Sequence, residues 1–230
     1  MKSPKDSLIH LVAVAAAALA TSFPAQGQEL EPAFFEGPLE MTAPNPPVAV
    51  DVIGSEDPEL IMTDVRGKVM LLRAMTGEVL RENRELGEDS LTGPAVGDFT
   101  GDGFLDFMVG TGSGKVVLFD GSSLEKLAEK QMERGFTLPP TSVTITNAEG
   151  RLVDRVAFTD TSGRIVCMSV GPDRALKEEW SYESQTQLQA PLAVGRPRAF
   201  DVIDFVGVSK DGQILFIDAT RGRETGRKYI

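Results

Sequence analysis

Four glycines at nearly equal intervals constrain this chain more than any other feature: Gly67, Gly114, Gly163 and Gly212, spaced by 47, 49 and 49 residues. After each comes a polar residue and then an apolar run: Lys68 to Leu72, Lys115 to Phe119, Arg164 to Met168 and Gln213 to Ile217. Before each lies a second apolar run opened by an acid: Glu59, Asp106, Asp154 and Asp204. Short apolar runs on either side of a residue that accepts positive φ read as tight β-hairpins. A proline precedes an earlier strand in every unit, at Pro47, Pro94, Pro140 and Pro191. An outer strand follows the hairpin, around Val79-Leu80-Arg81 or Glu179-Trp180-Ser181. The spacing predicts an irregular outer strand over Leu124 to Met132, where Glu125-Lys126 and Glu129-Lys130 also suit a short surface helix.

Four strands per unit is the blade count of a β-propeller, and the repeats fill residues 47–230. A parallel β-helix would use shorter coils, a β-sandwich would not repeat its glycine at a fixed period, and a helical solenoid would space apolar residues by three and four. The fold class is therefore all-β, a small propeller of four four-stranded blades. A closed ring is the economical arrangement. An open arc, or two copies joining as a homodimer into one larger ring, is the alternative. Residues 28–46, with Phe34-Phe35 and Leu39, form an N-terminal extension that could complete the last blade.

Residues 1–27 read as a secretory signal: Lys2 and Lys5 open it, Leu8 to Ala20 are apolar, and Ala25-Gln26-Gly27 is a small-x-small cleavage site. About 13 apolar residues fall short of the roughly 20 that a spanning helix needs. The expectation is an exported product, periplasmic or extracellular, with no integral membrane segment once the signal is cut. Cys167 is the only cysteine, so no intrachain disulfide forms, and its apolar run points to a buried, inert thiol. His10, the sole histidine, lies inside the signal. Without imidazole, Ser-His-Asp and Cys-His catalysis and most zinc, copper or haem sites are out of reach, leaving oxygen-ligand metals. The formal charge is −11, and losing Lys2, Lys5 and Asp6 takes it to −12, a field that repels nucleic acid.

Oxygen donors recur within one short loop. Asp98-Phe99-Thr100-Gly101-Asp102-Gly103-Phe104-Leu105-Asp106 places them at positions one, three, five and nine, with glycine at six. Calcium takes six to eight oxygens, and a tight loop supplies them by turning alternate side chains inward. Asp98, Asp102 and Asp106 are the expected carboxylate ligands, Thr100 a hydroxyl or water-mediated one, and Phe104 a carbonyl donor. The other repeats lack the set, since Ile53 and Ser55 stand between Asp51 and Glu59, and Arg196 stands where the fourth repeat needs its first ligand. One Ca2+ per chain is expected.

The stretch Gly97 to Gly110 resembles the FG-GAP repeat family, the blades of integrin α-subunit propellers and of bacterial surface proteins with VCBS-like repeats. The resemblance implies a metal held in a loop joining the first two strands of a blade. Thr100 departs from the Asp or Asn usual at the third position. A weaker resemblance, to pyrroloquinoline-quinone-type propeller repeats, lies in Ala74 to Leu80 and Ile217 to Thr220. That family marks each blade with a docking tryptophan, and Trp180 is the only one here, so it is expected to pack between blades. The functional expectation is a non-catalytic binding or scaffold module that contacts a protein or polysaccharide. A carbohydrate-active propeller enzyme and a quinoprotein-like envelope assembly scaffold are the alternatives.

Overall fold

The structure is a computed structural model that describes residues 45–55, 57–87, 90–199 and 202–229. The signal segment 1–27 and the extension as far as residue 44 lie outside the described residues, and so does His10. Sixteen strands and no helix make up the described chain. The first sheet holds β1 (Val48–Val50), β2 (Glu59–Thr63), β3 (Val69–Arg73) and β4 (Val79–Asn83). The second holds β5 (Ala95–Gly97), β6 (Asp106–Gly110), β7 (Lys115–Asp120) and β8 (Lys126–Gln131). β9 (Thr141–Thr146), β10 (Leu152–Thr159), β11 (Arg164–Val170) and β12 (Leu176–Glu183) form the third. β13 (Ala193–Ala199), β14 (Val202–Val208), β15 (Gln213–Asp218) and β16 (Glu224–Tyr229) form the fourth. Every sheet is an antiparallel meander in chain order, and the last draws all four strands from its own repeat.

The repeated glycine closes the same hairpin each time. Gly67, Gly114, Gly163 and Gly212 sit at φ of 75°, 91°, 92° and 79°. Each donates its N–H three residues back, to the carbonyl of Asp64, Thr111, Asp160 or Ser209. The next outer strand is reached through a second turn. In the second sheet Leu124 adopts φ 60° there, and the segment read as an irregular outer strand is β8.

Because neighbouring side chains on a strand point to opposite faces, a sheet whose middle strands are apolar throughout must be covered on both sides. Phe107, Val109, Val117 and Phe119 of the second sheet pack with Ile61, Val69 and Leu71 of the first. Met108, Val116 and Leu118, one residue out of step, pack with Val156, Phe158, Val166 and Met168 of the third. Ala157 and Ile165 then meet Phe205, Leu215 and Ile217 of the fourth. Three cores join four sheets, and among the described residues the sheets do not close: the closed ring is not formed, and the arrangement is that of an open arc or part of a larger propeller.

Trp180 packs between sheets as expected, edge-on to Phe205 at 6.0 Å, with its Nε1–H donated to Ala219 O at 3.1 Å. Cys167 is fully buried in the third sheet, and burial pushes its thiol up to about 12. A maleimide or disulfide reagent is expected to leave Cys167 unmodified in the native protein and to label it stoichiometrically in denaturant. Among the described residues, no helix is long and apolar enough to cross a membrane.

Candidate functional site

The loop from Asp98 to Asp106 joins β5 to β6, the first two strands of the second sheet. Its backbone is drawn around the first acid. The Asp98 carboxylate accepts the N–H groups of Gly101 at 2.8 Å, Asp102 at 3.1 Å and Gly103 at 3.0 Å. Gly101 and Gly103 take φ of 75° and 89°, the conformation that lets those N–H groups turn inward. Asp102 instead accepts the N–H of Phe104 at 3.0 Å, and the Phe104 side chain stands in solvent. Asp106 starts β6, is 1% exposed, and accepts the Thr100 N–H at 3.0 Å. The Thr100 Oγ1 is buried without a hydrogen-bond partner. The five expected residues lie between the end of β5 and the first residue of β6. Among the described residues no three acidic, histidine or cysteine side chains converge as a metal site.

The buried acid at the head of the second strand is met differently in each sheet. In the first, Glu59 accepts the Val52 N–H at 2.9 Å and the Ser55 hydroxyl at 2.8 Å. In the fourth, Arg198 forks onto both oxygens of Asp204 at 2.7 and 2.6 Å. In the third the position is basic. The acid there stands nine residues before its glycine rather than eight, so Asp154 turns to the opposite face and Arg155 takes the place. Asp106 is faced by Thr100, through its N–H and its side chain. Burial pushes its carboxyl up against the pull of both Thr100 groups, and the charges of Asp102 and Asp120 add to the rise. All the donors in the loop are hard oxygens, and a carboxylate that accepts N–H bonds keeps further lone pairs, so the residues present fit calcium rather than a softer metal.

Asp154, which the loop motif does not reveal as a neighbour, crosses from the third sheet to this loop. Its Oδ2 accepts the Asp98 N–H at 2.8 Å, and its Oδ1 accepts the Thr144 hydroxyl at 2.6 Å. The only sequence signal for that link is the nine-residue spacing.

Beside the loop lies a cleft of about 840 Å³, within the range of small-ligand sites. The loop forms part of its wall, and the third sheet supplies the rest, from β9, β10, β12, the end of β11 and the β9–β10 and β11–β12 turns. Glu179 is the hub of its charges. It accepts the Ser169 hydroxyl at 2.7 Å and pairs with Lys177 at 3.0 Å and Arg155 at 3.4 Å. Burial works against its ionisation, but the bonds from Ser169 and Lys177 and the Arg155 charge outweigh burial and hold the carboxyl below its ordinary value of 4.5.

A folded-state value below the unfolded one means that ionised Glu179 contributes stability that is complete above about pH 4.5 and lost as pH falls through the lowered value. Glu179→Gln is therefore expected to destabilise the protein at pH 7 and to converge with the wild type as the pH falls through the lowered value, as read by denaturant unfolding across an acid pH series.

No protein-family model matches the chain, and no curated protein matches it in sequence. Solved structures do resemble it. BamB from Moraxella catarrhalis aligns with TM-score 0.60 at 15% identity, over 84% of this chain and 50% of that one. BBS1N, solved in complex with ARL6DN, aligns with TM-score 0.58 at 15% identity, over 83% of this chain and 58% of its own. The β-propeller domain of Myceliophteria thermophila Cps50 (Swd1) aligns with TM-score 0.51 at 14% identity, over 75% and 52%. The chain spans about half the length of each of these structures. Its four sheets have the β-propeller fold, in the form of an open arc or part of a larger propeller.

Proposed function

We propose that this chain is an exported, non-catalytic binding or scaffold module of the FG-GAP type, working in the periplasm or outside the cell. One calcium ion fixes its Asp98–Asp106 loop, and the neighbouring cleft engages a protein or polysaccharide partner. The observation that carries this reading is the placement of the loop: it is a wall of the cleft, so whatever orders the loop shapes the surface a partner meets. Asp98, Asp102 and Asp106 would hold the ion with the Phe104 carbonyl, and Thr100 would complete the set through its buried Oγ1, directly or through water. When bound, the ion neutralises carboxylates that otherwise repel one another. The Asp154 bond to the Asp98 N–H then transmits the order of the loop to the third sheet.

An extracellular-type site binds calcium at about 0.1 to 1 mM. At 10 mM calcium the folded state then gains about 1.5 to 3 kcal/mol. The melting temperature is expected to rise by about 5 °C on adding calcium to the chelated protein, while magnesium gives a smaller shift. Asp102→Ala should abolish the calcium increment, because Asp102 faces solvent and bonds only its own loop, so the fold itself tolerates the change. An unchanged increment in that variant would remove the metal assignment. Capture of a partner from envelope extract, set against a polysaccharide-degradation screen, separates binding from catalysis.

A further inference from the structure

The cleft beside the loop holds charges that do not cancel. Its two bases, Arg155 and Lys177, are both engaged by one acid, Glu179, at 3.4 and 3.0 Å. Two further acids line it without an ion pair among the described residues: Asp154 on β10 and Glu149 in the β9–β10 turn. Arg151, the base of that turn, is not part of the wall. Asp98 also lines the cleft, but its carboxylate belongs to the calcium loop and stays out of the balance. Glu149, Asp154 and Glu179 against Arg155 and Lys177 leave one net negative charge.

Beside the unpaired charge stands an apolar surface. Leu152 and Asp154 are two residues apart on β10, opposite Thr146 and Thr144 of β9, so both side chains project from one face of the third sheet, about 6.5 Å apart along the strand. That face looks toward the loop, because Asp154 Oδ2 accepts the Asp98 N–H at 2.8 Å. Leu152 lines the cleft at 74% exposure and belongs to none of the cores that join the sheets. Asp154 accepts one hydrogen bond on each oxygen, the second from the Thr144 hydroxyl at 2.6 Å, so each oxygen keeps a lone pair.

We propose that the cleft takes a lysine side chain of a protein partner, its aliphatic stem along Leu152 and its ammonium on Asp154, with Glu149 adding to the field. The inference rests on the reading of the cleft as a partner-binding surface and names what enters it. Extended, the four-carbon stem of lysine reaches about 6 Å from Cα to nitrogen, which matches the spacing of Leu152 and Asp154, and it covers apolar surface while its head stays in a polar site. A guanidinium fits less well. Its planar fork takes both oxygens of a carboxylate at once, and both oxygens of Asp154 already accept a bond, whereas an ammonium needs one lone pair. A sugar ring has no face to stack on, since Phe99, the only aromatic residue of the wall, is 5% exposed. An anionic surface would meet the net negative charge.

The probe is the peptide acetyl-Ala-Ala-Lys-Ala-Ala-amide, titrated into the full chain with calcium present and read by the amide resonances of Leu152, Val153 and Asp154. Two counterparts carry Nε-acetyl-lysine or arginine at the centre. The lysine peptide is expected to shift these resonances with a dissociation constant on the order of 1 mM and to weaken with added salt. The Nε-acetyl peptide keeps the stem without the charge and should bind at least about tenfold more weakly. Leu152→Ser removes only an exposed side chain, so it should melt as the wild type does and weaken the lysine peptide about threefold or more. Asp154→Asn should weaken it about tenfold while its calcium-induced rise in melting temperature, measured alongside, shows that the loop is intact. No shift by the lysine peptide, equal binding of the Nε-acetyl peptide, tighter binding of the arginine peptide, or unchanged binding in both variants overturns the proposal. So does a neutral oligosaccharide such as maltohexaose that shifts the same resonances more strongly than the lysine peptide. Capture of an envelope protein that survives both substitutions would keep the binding role and overturn only this ligand.

Discussion

Gly163→Ala is expected to destabilise the protein by about 3 kcal/mol or more, lowering the melting temperature by roughly 10 °C. Two independent effects add at this position. The residue sits at φ 92°, where an alanine is strained by about 1 kcal/mol or more. A Cβ there would also lie 2.0 Å from Thr186 O and 2.7 Å from Ser184 Oγ, and a backbone carbonyl cannot swing aside as a long side chain does. Gly150 separates the two effects. It has φ 76° with nothing within 4 Å of the point where an alanine methyl would stand, so Gly150→Ala should cost about 1 kcal/mol by conformation alone. Thermal unfolding of the two variants, each against the wild type, measures the difference. Similar losses would mean that the hairpin shifts at little cost and that the close approach of the Thr186 backbone is unimportant.

The hairpins were legible because a tight turn between two apolar strands tolerates few residues, and glycine at each of the four turns takes the positive φ that the turn needs. The outer strands were legible only through brief apolar or alternating stretches such as Val79-Leu80-Arg81. β8, Lys126–Gln131, is half-exposed along its length, so its composition does not separate strand from surface helix. Ring closure was not legible at all. It depends on whether the outward faces of the first and last sheets meet, and an apolar run such as Gln213 to Ile217 reads the same whether its second face is covered or bare.

At the loop, the donor types and the glycine positions could be read directly, because ligand spacing in a tight turn is a local property. Asp154 and Arg155 could not. A one-residue change in distance from Gly163 reverses which of the two faces the second sheet, and period-two alternation makes such a shift decisive while leaving composition unchanged. The cleft was hidden for a related reason: its walls come from the Asp98–Gly101 stretch of the second sheet and from residues of the third as far on as Glu179, which only the packing of the two sheets brings together.

Openness of the arc governs the effect of Phe158→Ala. Phe158 is fully buried at the junction of the second and third sheets, 5.2 Å centroid to centroid from Phe136. Gly110 leaves the room both rings occupy, since a Cβ there would come within 2.9 Å of Phe136 and 3.1 Å of Phe158. Truncating the ring removes its transfer energy and leaves a cavity that the backbones of β6 and β10 cannot collapse to fill, a loss of about 3 to 5 kcal/mol. In a closed ring, sheets on either side of a weakened junction would remain linked the long way round. In an open stack each sheet is held only by its neighbours, so stability is a sum over repeats and junctions, and the middle junction alone couples the two halves. Phe158→Ala should therefore lower the denaturant midpoint and also separate the transition into two steps with a reduced apparent m-value, whereas Leu152→Ala, at the exposed end of the same strand, should change neither by more than about 0.5 kcal/mol. A single transition of unchanged slope in Phe158→Ala would mean that the halves are coupled by something other than this junction.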